Sequence, residues 1–119
     1  MKWKKVPQKL IDFLEENIKP FACEQKKMFG CPAYFVKNNM FTGAHQESLF
    51  LRLNDKDRHD LLNENYKVLP FEPMPGRIMR EYVVIPESLY SNSLLFKKWL
   101  EKSYAYVSTL PEKIKGKTR

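Results

Sequence analysis

Only four glycines and two cysteines occur in the 119 residues, and no apolar run approaches the roughly 20 residues needed to cross a bilayer. Each scarcity excludes something. Gly30, Gly43, Gly76 and Gly116 are too scattered to form a phosphate-cradling loop. Cys23 and Cys31 cannot build a disulfide framework, and with seven residues between them and neither His45 nor His59 at zinc-finger spacing they do not form a zinc motif. No acidic cluster resembles a calcium loop. The expectation is therefore no metal and no nucleotide cofactor. Met1-Lys2-Trp3-Lys4-Lys5 is positively charged with no apolar stretch behind it, so it does not read as a signal peptide. The expected location is the cytoplasm, where both thiols stay reduced.

What is present is the composition of one globular unit: 43% hydrophobic and 13% aromatic residues in a chain of common single-domain length. The net charge of +7 is distributed unevenly. Lys2, Lys4 and Lys5 precede Val6, and Lys113, Lys115, Lys117 and Arg119 follow Glu112. Between Val6 and Glu112 the count is 14 basic against 14 acidic residues, so the body is neutral and the excess sits in tails at 1–5 and 113–119. Such tails attract phosphate weakly and without regard to sequence, or simply keep the ends in solution.

Leu10, Ile11, Leu14 and Ile18 recur at helical spacing after Pro7, which suits a first turn, and Pro20 ends the run. From Lys26 to Leu53 the period becomes two. Gly30-Cys31-Pro32 reads as a turn and Asn38-Asn39 as a hairpin turn, while Leu49, Leu51 and Leu53 share one face of a strand and leave Phe50 and Arg52 on the other. Asn54 or Asp55 caps a second helix carrying Leu61 and Leu62. Lys67-Val68-Leu69 reads as a short strand. Three prolines between Pro70 and Pro75 make the following run irregular, and Pro75-Gly76 fits a type II turn. Met79 to Ile85 reads as a strand, and Pro86 opens a last helix striped by Phe96, Trp99, Leu100, Ser103, Val107 and Leu110. The fold class expected is α+β, a two-layer antiparallel sheet with helices on one face.

No constellation assembles a catalytic site. Nucleophilic catalysis needs a base within hydrogen-bond reach of the thiol, and Cys23, Cys31, His45 and His59 stand in no motif that provides it. His45, after Gly43-Ala44 at a strand end, is the better placed of the two imidazoles. Tyr34, Phe35, Phe41 and Phe50 could imitate an RNA-stacking sheet, but the accompanying basic-Gly-aromatic run is absent and such aromatics are expected in the core. The densest polar cluster is Arg77, Arg80 and Glu81. An arginine fork reads phosphate or carboxylate. The favoured reading is that Arg77 or Arg80 instead locks the proline-fixed loop through Glu72, Glu81 or backbone carbonyls, which predicts a loss of roughly 1–3 kcal/mol for Arg80→Ala.

Met28-Phe29-Gly30, Tyr34-Phe35-Val36, Met40-Phe41, Gly43-Ala44-His45, Leu51-Arg52-Leu53 and Asp57-Arg58 resemble the TfoX N-terminal domain family. Phe71-Glu72-Pro73-Met74-Pro75-Gly76-Arg77 with Met79-Arg80-Glu81-Tyr82 is the most specific part, and Trp99, Ser103, Tyr106 and Leu110-Pro111 continue it. Cys31 stands where a second glycine is usual. The resemblance implies a secretion-chaperone-like order of helix, three strands, helix, two strands, helix. It also implies kinship with TfoX/Sxy regulators of DNA-uptake competence, which act with the cyclic-AMP receptor protein. Those regulators carry a second, C-terminal domain, whereas this chain stops at Arg119, so their role does not transfer on the resemblance alone. The resemblance supplies no catalytic residues. Three functions follow in order: a non-enzymatic module that contacts a protein partner and assists transcription; a weak, sequence-independent DNA contact through the tails; and a small-molecule or enzymatic role near His45 and the Arg77/Arg80 loop. No membrane contact is expected, and partner identity and oligomeric state are left open.

Overall fold

The computed structural model describes residues 6–28, 31–46, 48–63 and 68–112. Both basic tails, Phe29, Gly30 and Lys67 lie outside the described residues. The first helix, α1 (Gln8–Ile18), buries Leu10, Leu14 and Ile18, with Pro7 at its N-cap rather than inside its first turn. Four strands follow: β1 (Glu24–Met28), β2 (Cys31–Val36), β3 (Asn39–His45) and β4 (Ser48–Arg52). Next come α2 (Asp55–Leu62), β5 (Leu69–Met74), β6 (Arg77–Ile85), a single turn α3 (Glu87–Tyr90) and α4 (Ser93–Ser108). All six strands join one antiparallel sheet in the order β1-β2-β3-β4-β6-β5. The fold is α+β.

Several local expectations shift. The first strand group has four members, because Glu24–Met28 pairs along β2 as an edge strand. Its mostly polar sequence, Glu-Gln-Lys-Lys-Met, gives no alternation to read, and lysines are common on edges. The β2–β3 hairpin turns at Lys37 and Asn38, one residue earlier than expected, with φ of 52° and 66°. The proline-rich run is β5, an edge strand with two register shifts against β6. Proline lacks a ladder donor and is tolerated on such an edge. Gly76 follows at φ 81°, as the turn after Pro75 requires. The last helix is divided where the Asn92 side chain accepts from the Leu95 N–H at 3.1 Å and caps α4.

The main core lies between the sheet and the helices. Leu49, Leu51, Leu53, Val83 and Ile85 of the strand region meet Leu10, Leu14 and Ile18 of α1 and Phe96, Trp99, Leu100 and Val107 of α4. Ser103 of α4 donates to the Phe41 carbonyl at 2.9 Å, fixing the helix on β3. The opposite face holds a second buried cluster of Ala33, Met40, Phe50, Phe71 and Tyr82, all from strands. Phe50 and Phe71 stack with centroids 4.4 Å apart. Gly43 lies across from Phe50 in the β3–β4 ladder, and a Cβ there would come within 2.6 Å of Phe50 Cζ and 2.9 Å of the Pro32 carbonyl oxygen. The Phe50 side of the sheet is thus covered as well, by aromatic packing over a glycine.

Candidate functional site

Because Leu49, Leu51 and Leu53 point into the main core, Arg52 emerges on the Phe50 side, directly across the ladder from Tyr82. Its guanidinium carbon lies 5.6 Å from the Tyr82 ring centroid and 6.0 Å from that of Tyr106 on α4. Arg52 Nε–H donates to Glu81 Oε1 at 2.7 Å, and the Tyr106 hydroxyl donates to Glu81 Oε2 at 3.0 Å. The Tyr82 hydroxyl donates in turn to the Met40 carbonyl at 2.9 Å. One carboxylate thus ties β4, β6 and α4 together.

The electrostatics follow from burial. It pushes Tyr82 up to about 12, although Arg52 pulls the other way, so this phenol stays a neutral donor. Burial works against the Arg52 charge, but the guanidinium stays above its ordinary value, with the hydrogen bond and charge of Glu81 among the causes that raise it. Tyr106 is raised by burial and then by its contact with Glu81.

Arg52, Glu81 and Tyr82 of this cluster line a groove of about 510 Å³ together with Asp55, Arg58, Met79 and Arg80. Asn54 accepts from the Asp57 N–H at 2.7 Å and starts α2 there, which brings Arg58 back over the strand end. Arg58 donates through Nη1 to the Leu53 carbonyl at 2.8 Å and through Nη2 to Asp55. Arg80 is exposed in the same lining and makes no ion pair or side-chain hydrogen bond with the described residues.

Of the four residues singled out from sequence, Arg80 and Glu81 meet in this groove, while Arg77 and His45 do not line it. Among the described residues neither Arg77 nor Arg80 makes the ion pair or side-chain hydrogen bond expected of a loop-locking arginine. Both arginines are exposed; Arg52 holds Glu81, and Glu72 accepts from the Gly76 N–H at 2.6 Å to close the Pro75-Gly76 turn. Arg52, Arg58 and Tyr106 were not foreseen as a site. The available signal was the leucine alternation that leaves Arg52 beside Phe50.

His45 is buried with its ring edge against Phe71, centroids 5.5 Å apart, and burial lowers its pKa. Continuing the β2–β3 register from Ala33 and Gly43 sets Cys31 across from His45, and both side chains are packed as core. Cys23 is half-buried, which raises its thiol pKa, and His59 is exposed on α2. Tyr34, Phe41 and Phe50 are buried, and Phe35 is half-buried under the Lys26 ammonium. Among the described residues there is no group of three metal-ligating side chains, and no helix is long and apolar enough to cross a membrane.

Four stretches separated in sequence, around Arg52, Arg58, Met79–Tyr82 and Tyr106, therefore converge at one place. A comparison with curated proteins finds no match. The family model described as the TfoX N-terminal domain matches residues 13–107, a span that includes the whole of this convergence, and the chain belongs to that family.

Proposed function

We propose that this domain is a non-enzymatic interaction module that assists transcription by contacting another protein in the cytoplasm. The observation that carries the reading is the groove beside α2. Its lining is braced by the bonds of Glu81 to Arg52 and Tyr106 and of Tyr82 to the Met40 carbonyl, and an exposed arginine stands beside them. Aromatic and arginine side chains fixed around a recess are the composition that concentrates binding energy at protein interfaces. Membership of the TfoX N-terminal family supports the transcriptional side, through the kinship with competence regulators.

The test is capture from native lysate with the full chain and with Arg80→Glu, read by mass spectrometry. The reading expects a defined set of proteins of the transcription apparatus on the wild type and their loss from the variant. Identical sets on both would overturn it.

The charge count favours a second, weaker activity. The neutral body and basic ends would give a salt-dependent, sequence-blind contact with nucleic acid through the tails. Replacing the seven tail cations with glutamine should abolish it, and sequence-selective binding that survives would transfer the role to the folded body.

A further inference from the structure

The chemistry of the groove also selects its occupant. Arg52 is the fixed point. Its guanidinium sits near two tyrosine rings, its bond to Glu81 uses Nε, and a further side-chain hydrogen bond links it to Tyr82. Arginine carries five N–H donors, so the four on its two Nη atoms are not consumed by Glu81. The side chain remains 21% exposed and lines the groove. Arg58, also 21% exposed, is held by Leu53 and Asp55, so two of the three arginines are ordered before anything binds. Ordering in advance removes much of the entropic cost of using long side chains.

Charge then narrows the choice. Arg52, Arg58 and Arg80 line the groove together with Asp55 and Glu81, an excess of one positive charge. A single carboxylate neutralises it, and a planar guanidinium matches a carboxylate with two parallel bonds. A run of phosphates would instead meet Asp55 and Glu81, the two carboxylates that line the groove. Met79, half-buried, and the Tyr82 ring give apolar surface next to the charges. A groove of about 510 Å³ takes more than one residue, which favours a carboxylate carried in the middle of a segment.

We propose that this groove receives an acidic side chain of a partner protein on the Arg52 guanidinium, with Arg80 closing over it and an adjoining apolar side chain against Met79 and Tyr82. The assignment rests on the interaction reading above and gives that contact its chemistry.

The test is an NMR titration of the full chain, following backbone amides and arginine Nε–H signals. The probe is N-acetyl-Leu-Glu-Leu-amide, whose only charge is the glutamate. Its Leu-Gln-Leu counterpart, inorganic phosphate and a short DNA duplex complete the set. The glutamate peptide should move the signals of Arg52, Met79 and Tyr82, and the glutamine peptide should bind at least about fivefold more weakly. Arg52→Lys, which keeps the charge and loses the fork, should weaken the glutamate peptide about tenfold. Arg80→Gln should weaken it about twofold to fivefold, and unchanged binding overturns the assignment of Arg80. Should Arg52→Lys fail to fold, the exposed Arg80→Gln decides. Equal binding of the two peptides, or phosphate or DNA moving the same signals at lower concentration, overturns the assignment. The peptide result does not depend on any lysate partner. Loss of the peptide shifts therefore sinks the carboxylate site alone, and lysate capture indifferent to Arg80→Glu sinks the contact reading alone.

Discussion

The two faces of the sheet reach burial by different means. On one, α1 and α4 lay whole stripes of side chains over Phe41, Leu49, Leu51 and Leu53. On the other, five strand residues bury one another, with Phe50 stacked on Phe71 and seated over Gly43. The helix-covered face draws its stability from many interchangeable apolar contacts. The other depends on a few placements that permit little adjustment. That second face is also the one from which Arg52 emerges, so the rigidity of its small cluster is what positions the candidate site.

The largest effect expected from this contrast is in the main core. Phe41 is fully buried, with Phe21 and Tyr104 rings edge-on to it at 6.2 and 5.5 Å. Phe41→Ala should cost about 3–5 kcal/mol, measured as the shift in chemical denaturation. Phe50→Ala should cost less, because strands alone roof its site and can close or admit water. A larger loss at Phe50 would mean that the strand-built cluster carries the fold.

Gly43→Ala comes next, at roughly 1–3 kcal/mol, from overpacking rather than cavity formation. The added carbon meets Phe50 Cζ at 2.6 Å and the Pro32 carbonyl oxygen at 2.9 Å. The phenyl tip can give way; the backbone oxygen cannot. Combining Gly43→Ala with Phe50→Leu should therefore recover only part of the loss. Full recovery would show that Phe50 alone demands the glycine.

These placements explain what was legible in the sequence. The helical stripes of Leu10, Leu14 and Ile18 and of Phe96, Trp99, Leu100 and Val107 announce a face against a core, as does the alternation of Leu49, Leu51 and Leu53. β1 was not legible as a strand because its pairing depends on β2 rather than on a pattern of its own. β5 was obscured by Pro70 and Pro73, whose missing donors matter only if the strand is not at an edge. Glu81 and Arg80 were visible as a polar cluster. The partner that holds Glu81, Arg52, lies 29 residues away and becomes its neighbour only through the β4–β6 pairing. Tyr106 arrives from a helix on the far side of the chain order.

A smaller effect belongs to pH. Burial lowers the His45 pKa below its ordinary value of 6.5, so the unfolded chain takes up this proton more readily than the folded one. Stability from this residue is full above about pH 6.5 and is lost as pH falls from there through the folded value. Glu72 lines the same hollow, but its carboxylate accepts from the Gly76 N–H. Denaturation midpoints between about pH 7 and 5.5 should decline in the wild type, with a shallower decline in His45→Gln. Parallel declines in the two proteins would assign the slope elsewhere.

The smallest effect expected is at Arg80. A loop-locking arginine would lose roughly 1–3 kcal/mol on truncation, because its buried partner would be left unsatisfied. Arg80 is exposed and has no such partner among the described residues, so Arg80→Ala should fall within about ±0.5 kcal/mol. Arg52→Ala is the control that should move. It strips Glu81 of a 2.7 Å charged hydrogen bond between β4 and β6 and leaves Tyr82 and Tyr106 without the cation beside their rings. The pair of midpoints separates a residue that builds the groove from one that stands at its rim. An unchanged midpoint for Arg80→Ala, together with a weakened glutamate-peptide contact, is the combination required of a side chain kept for binding. A lowered midpoint would return Arg80 to the fold and leave Arg52 and Arg58 as the arginines of the groove that could serve a partner.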